Sequence, residues 1–360
     1  ICLAPWGAHT EESGEIARIE PASHCAAPLA AKEDDGGRLW CVLDTEAVSP
    51  EEAESAGVLE GVEWLKIEGG MDGEWIGLVS SPATNEGLKG LDISWNRIGP
   101  EGAALLEFGR MASLEVLDIG YNSLGAEGVR NALEGYGGAR PATVSLEGNA
   151  MGSGAAEVLD GAECLSKLES LNVANNKLGD DGARRLAETA LFARLEKIGL
   201  KFNDITDAGA EAIARSPGAR GLKVLDLNYN DIADDGAAAI AASPYMADLE
   251  YLILDYNYVG DAGAKALASS EHLENLEGLG LWHNSIGDEG VAAIAGSARL
   301  SSLRFLGLCH NDFGVKGVEA IARSETLESL EKVDISHNQL GPDAREHIED
   351  IGKRGIEVVH

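Results

Sequence analysis

Ten asparagines recur along this chain at near-constant spacing: Asn96, Asn122, Asn149, Asn176, Asn203, Asn230, Asn257, Asn284, Asn311 and Asn338. The first interval is 26 residues and the other eight are 27. A fixed period in the twenties is the signature of a stack in which each unit rests only on its neighbours. Such a chain is an extended surface before it is anything else.

Aligned on those asparagines, the other positions fall into columns. Five and three residues before each Asn stand apolar residues, as in Leu91 and Ile93, Leu117 and Ile119, or Leu225 and Leu227. Eight before lies another Leu in nine of the ten units, Leu114, Leu168 and Leu249 among them. Alternation at minus five and minus three predicts a short strand with one buried face. Two after each Asn comes a further apolar residue, such as Ile98, Ile232 or Phe313. Glycines at plus three and plus six usually follow, and runs such as Ala237–Ala241 read as a small-residue helix. The unit is strand, tight turn, helix, return, and stacking must close its core. The Asn amide carries donors and an acceptor, so it can bond backbone left unpaired where the strand bends inward. Repeated, those amides form a ladder.

The string from Leu222 to Ile232, with Leu225, Leu227 and Asn230 at its fixed sites, matches the leucine-rich repeat pattern LxxLxLxxNxI. The Gly-x-x-Gly-Ala tail and the 27-residue length resemble the ribonuclease-inhibitor-like subfamily, bacterial members included. That resemblance implies an α/β fold: a leucine-rich repeat solenoid, a curved right-handed horseshoe with parallel strands on the concave face and helices on the convex one.

Ten regular repeats are expected over 88–356. Residues 41–53 echo 91–103 with Glu46 in the Asn position, and 65–70 echo it again with Gly70 there. Residues 41–87 are therefore read as two degenerate repeats. Residues 1–40, with a strand over Glu15–Glu20, are read as an N-terminal capping hairpin or collar. Residues 357–360 complete a terminal strand begun at Ile356, shielding the open edge. The unit ending at Asn149 is weak, because Pro141 replaces its Leu and 135–140 is a Gly-rich return.

The formal charge is −33, and residues 1–80 hold seventeen acidic residues against four basic. Nucleic acid and anionic membranes are disfavoured as partners, since both would be repelled. A basic protein partner is the sharp reading of this charge; a solvated surface is the plain one. There is no run of 18 apolar residues, hence no transmembrane helix. The chain starts at Ile1, which leaves a processed or secreted form open. Of the five cysteines, Cys164 and Cys309 are expected to be free thiols. Cys2, Cys25 and Cys41 cluster, and reduced thiols in a cytoplasmic setting are expected over a capping disulfide.

Positions minus four, minus two and minus one are predicted to leave the strand away from the core. The minus-one column reads Trp95, Tyr121, Gly148, Asn175, Phe202, Tyr229, Tyr256, His283, His310, His337. Trp282 adds an aromatic at minus two. Rings at exposed positions point to binding, because Tyr and Trp bring large rigid area at low entropic cost. Their alternative role is to stack on one another and stiffen the array. Asp92, Asp118, Asp226, Asp334, Glu147 and Asp255 flank them against Lys201, a setting suited to a partner's Lys or Arg. Asp226 and Asp255 are the expected charge partners. The resemblance adds that ribonuclease-inhibitor proteins grip basic proteins in a similar way.

His283, His310 and His337 should form a short column, since parallel strands lie roughly 4.8 Å apart. Zinc normally takes four converging ligands, which a straight column supplies poorly. A patch responsive to pH fits better, and plain polar surface remains the leading account. Asp180, Asp207, Asp234, Asp261 and Asp288, each four after its Asn, are read as caps of the helix that follows.

No P-loop, HExxH, CxxC or GxSxG string occurs. No cofactor is expected. The first reading is a non-enzymatic scaffold binding a basic protein through an aromatic, acidic face. The second is a structural subunit of a larger assembly, and the third a metal-binding or pH-responsive regulator centred on His283, His310 and His337.

Overall fold

A computed structural model of the chain describes residues 29–34, 38–55, 57–81, 87–106, 111–134 and 140–360. The expected strand at 15–20, and Cys2 and Cys25, lie outside those residues. The chain folds as two compact units, one of residues 1–150 with 161–168 and the other of 151–160 with 169–360.

In the first unit, β1 (Ala30–Glu33) pairs antiparallel with β2 (Leu39–Asp44). From β2 onward the pairing is parallel, through β3 (Trp64–Glu68), β4 (Gly90–Asp92), β5 (Val116–Asp118) and β6 (Thr143–Ser145). The degenerate segments therefore contribute strands in register with the regular ones. In the second unit, β7 (Ser170–Asn172), β8 (Lys197–Gly199), β9 (Val224–Asp226), β10 (Tyr251–Ile253), β11 (Gly278–Gly280), β12 (Phe305–Gly307), β13 (Lys332–Asp334) and β14 (Glu357–Val359) pair parallel in chain order. The terminal strand forms as expected.

The core lies between strands and helices. The minus-five, minus-three and plus-two residues are buried, with Leu340 in the last repeat half-buried, as are the inward residues of the helices, such as Ala237 and Ile240 in Asp234–Ala241. Each strand has only about three residues, so a single unit encloses nothing and burial is shared between neighbours.

The asparagines carry the predicted ladder. Asn230 Nδ2 donates to the carbonyls of Leu227 and Asn228 in its own turn and of Leu200 one repeat back. Its Oδ1 accepts from the Asn203 and Ile205 amides. Five hydrogen bonds thus converge on one buried side chain, and Asn122 in the first unit shows the same pattern.

Two expectations are corrected. The aspartates at plus four do not cap their own helix; they cap that of the next repeat. Asp207 Oδ1 accepts from the amides of Ala233 and Gly236 at 2.7 and 2.8 Å, and Asp234 Oδ1 accepts from Gly260 and Gly263 at the same distances. Asp180, Asp261 and Asp288 do likewise. The reason is steric as well as electrostatic: a glycine at plus six brings the next helix close enough for the carboxylate to meet its positive end. A Cβ on Gly236 would lie 2.6 Å from Asp207 Oδ1. Second, Cys41 is disulfide-bonded, against the expectation of reduced thiols. Cys164 and Cys309 are buried and not disulfide-bonded, as expected.

Candidate functional site

The strands end at minus four, so the minus-one residues belong to the turn beyond and not to the strand as predicted. Their backbone is left-handed, with φ from 50° to 63° at Trp95, Tyr121, Asn175, Phe202, Tyr229, Tyr256, His283, His310 and His337, and 68° at Gly148. That conformation suits Gly and Asn and disfavours bulkier residues. Backbone preference therefore does not account for rings at these sites.

The rings form stacks. In the first unit Trp95 lies on Tyr121, with centroids 3.8 Å apart and planes 11° apart. Tyr121 in turn covers Gly148, where a Cβ would fall 2.5 Å from the ring. In the second unit one column runs Phe202–Tyr229–Tyr256–His283–His310–His337, with successive centroids 4.1, 3.9, 4.4, 4.6 and 4.2 Å apart. Strand spacing of about 4.8 Å permits this contact. The rings thus take the stacking role, in which inner members give their faces to neighbours. Lys201 Nζ sits 5.2 and 5.1 Å from the Phe202 and Tyr229 ring centres, a cation–π contact within the chain.

Trp282 meets Tyr256 edge-on at 5.1 Å and lies against His310. Among the described residues its Nε1 is the one buried side-chain nitrogen or oxygen without a hydrogen-bond partner. The three imidazoles lie face to face, so their in-plane lone pairs point along parallel planes and do not converge on a shared ion. Burial, and then the neighbouring His337 and His283, hold His310 below the usual histidine range, with Asp334 opposing.

The acids have structural work that sequence reasoning did not find. Asp92, Asp118, Asp226 and Asp334 each accept, through Oδ1, from the amide two residues on: Ser94, Gly120, Asn228 and Ser336. They close the strand-to-turn step as an Asx turn does. The signal was present as a polar residue at minus four, but it was read as partner chemistry. Asp92 also pairs with Lys66 at 3.1 Å, and Tyr121 Oη donates to Glu147 at 2.6 Å. Asp255, predicted as an exposed charge partner, is only 8% exposed and accepts from the Trp282 amide. Burial, with help from Asp226 and Asp334, pushes its pKa up to about 7. Burial, and then the nearby Asp92, raise Asp118 as well. Asp226 is half-buried on the open face.

The minus-six column also faces outward and was overlooked. Tyr251, Phe305 and Lys332 are half-buried there, and Tyr251 Oη donates to Glu277 at 2.9 Å. Trp64 in that column packs edge-on against Trp40 at 5.3 Å, and its ring leaves no room for a side chain at Gly90. The period of two that assigns minus four outward assigns minus six as well.

Among the described residues, no helix is long and apolar enough to cross a membrane. No curated protein sequence matches the chain at a significant level. Among solved structures, an internalin (inlF) from Listeria monocytogenes is similar at 17% identity and TM-score 0.53, covering 89% of this chain and 86% of that one. A leucine-rich repeat protein of Leptospira interrogans matches at 15% identity and TM-score 0.43, covering 89% of each chain. TLR13, in a complex with ssRNA13, matches at 15% identity and TM-score 0.49, covering 89% of this chain and 48% of that one. The internalin likeness shows the fold alone. The family profile described as Leucine Rich repeat matches residues 84–106, 110–131, 164–187, 195–214, 220–241, 245–268, 272–295 and 326–346. Those segments together make up half of the chain, and each matched stretch carries the columns seen in the fold: the chain belongs to the leucine-rich repeat family.

Proposed function

We propose that this chain is a non-enzymatic recognition scaffold that holds a basic protein on the open face of its strands. The observation that carries the reading is the pair of ring stacks, built at left-handed backbone positions that favour Gly or Asn. Strained backbone retained with bulky side chains is a mark of a site put to use. Leucine-rich repeat proteins generally mediate protein–protein interaction, which agrees with this reading. The ring edges offer rigid amphipathic area, and a net charge of −33 steers basic proteins inward while repelling nucleic acid and anionic membranes. The contact set is Trp95, Tyr121, Phe202, Tyr229, Tyr256, Trp282, His283, His310 and His337, with Asp226 as charge partner.

The 27-residue period and Gly-x-x-Gly-Ala tails support placing the chain in the ribonuclease-inhibitor-like subfamily. The same columns support ten regular repeats over 88–356, two degenerate ones over 41–87, a cap before them and a terminal strand after. The Cys41 disulfide favours an oxidising compartment over the cytoplasm. The stacked imidazoles favour a second role for His283, His310 and His337: protonation places like charges 4.2–4.6 Å apart and weakens the column.

The test is capture of partners from native extract on the immobilised chain at low and high salt, with identification by mass spectrometry. A basic protein released by salt, and lost with Tyr229→Ala/Tyr256→Ala while the circular dichroism is unchanged, supports the reading. A stoichiometric partner that resists salt and ignores the double variant overturns it in favour of an assembly subunit.

A further inference from the structure

Stacking uses up ring faces, and this sets the end plates, Trp95 in the first unit and His337 in the second, apart from the inner rings. The inner rings of the second unit have neighbours on both sides, and Phe202 has Lys201 over it. Trp95 gives one face to Tyr121 and is 58% exposed; among the described residues no ring or cation lies on its other face. The cause is a break in the column. One repeat earlier the minus-one position is Gly69, with φ of 103°, where a Cβ would meet Thr45 Oγ1 at 2.7 Å. Gly69 can carry no ring, so the stack stops one plate short.

The surroundings of that missing plate are acidic. Asp44 and Glu68, paired in register on β2 and β3, are exposed, as is Glu46 in the turn that follows β2. Asp44 Oδ1 and Glu46 Cγ each lie 3.1 Å from where the Gly69 Cβ would be. A flat indole face, a gap of one plate and three carboxylates, of which Glu68 already pairs with Lys66 Nζ at 3.4 Å, specify a planar cation. A guanidinium is planar, stacks on aromatic faces and bonds carboxylates in a fork; an ammonium is a hydrated point charge that does neither.

We propose that the open face of Trp95, beside Gly69, is the seat of one arginine side chain of a basic protein partner, which completes the stack and is bonded by Asp44, Glu46 or Glu68. This rests on the reading of the open face as a receptor. It narrows that reading to one side chain, since the inner rings give both faces to their neighbours.

Capped tetra-arginine and tetra-lysine peptides, titrated into the full chain at matched ionic strength, test it by calorimetry and by the Trp95 indole N–H resonance. Trp95→Leu keeps bulk at an exposed site and removes the π-face; Trp95→Phe restores one. The wild type should bind tetra-arginine more tightly than tetra-lysine. Trp95→Leu should weaken the arginine peptide about 3- to 30-fold and erase the preference, and Trp95→Phe should recover part of it. Equal binding of both peptides by the wild type, unchanged affinity in Trp95→Leu, or an indole resonance that does not move would each overturn the proposal. If arginine binding survives Trp95→Leu but falls in Tyr229→Ala/Tyr256→Ala, the seat is wrong and the receptor reading stands. If both variants bind like the wild type, both fail.

Discussion

The turns up to Gly179 and those from Thr206 to Gly314 solve one problem in two ways. In the earlier set, Gly99, Gly125 and Gly179 have positive φ at plus three, and their amides donate to the carbonyl of the next Asn. In the later set the plus-three residue is extended and its amide donates to an Asp of the preceding repeat, as Thr206 does to Asp180 and Gly260 to Asp234. The later repeats add a second device. Ser243, Ser270, Ser297 and Ser324 donate through Oγ to the carbonyls of Ala214, Ala241, Ala268 and Ala295, at the C-terminal end of the helix one repeat back. Helices such as Asp234–Ala241 are therefore capped at the N-terminus by the repeat before and at the C-terminus by the repeat after. A helix of eight residues is too short to hold itself, and here its orphan backbone groups are satisfied by its neighbours. The difference teaches that cohesion between repeats is written in polar side chains as much as in leucines.

The largest effect should come from what both sets share. Asn230→Ala strips five hydrogen bonds from buried backbone and should destabilise by about 3–4 kcal/mol, measured by urea unfolding. A loss below 1 kcal/mol would mean that water replaces the amide.

A smaller effect separates the sets. Gly236→Ala drives a Cβ against Asp207 Oδ1 and Ile232 Cγ2 and should lose about 1–3 kcal/mol. Part of that loss should vanish when Asp207→Ala is added, a coupling of roughly 1 kcal/mol in the double-mutant cycle. Gly99→Ala meets nothing within 4 Å and should show only the left-handed backbone penalty, about 1 kcal/mol. Equal losses at the two glycines would remove the steric distinction.

The smallest effects are in pH dependence, and their signs oppose. Asp255 has a raised folded pKa of about 7, so its contribution is full below pH ~3.8 and is lost as pH rises through 7. Asp255→Asn should therefore gain melting temperature relative to wild type between pH 5 and pH 8. His310 is depressed, so its contribution is full above pH ~6.5 and is lost as pH falls through its folded value. His310→Phe should gain relative to wild type as pH falls from 7 to 5. Parallel slopes for the two variants would contradict the environments described here.

Much of this was legible in the chain. The Asn period, the buried columns at minus five and minus three and the terminal strand follow from spacing, because a strand period of two and a repeat of 27 leave each residue one face to occupy. The ring column was visible too, but its consequence was not. Trp95, Tyr229 and His310 look alike as letters in one column, yet Trp95 keeps an open face because Gly69 precedes it. The aspartates show the reverse error: Asp226 and Asp207 were assigned by residue type, to a partner and to their own helix. Their acceptor oxygens went to an amide two residues on and to amides 26 and 29 residues on. The serine ladder recurs every 27 residues and could have been read, had buried hydroxyls been sought beside the apolar columns.

By itself, then, the sequence determined the fold family and its register, since periodicity is a local property copied ten times. Only the tertiary structure decided what each polar side chain does. Its partners lie about 3 Å away in its own turn, as for Asp226, or in the adjacent repeat, as for Asp207, and residue type alone does not separate Asp255 at 8% exposure from Asp226 on the open face.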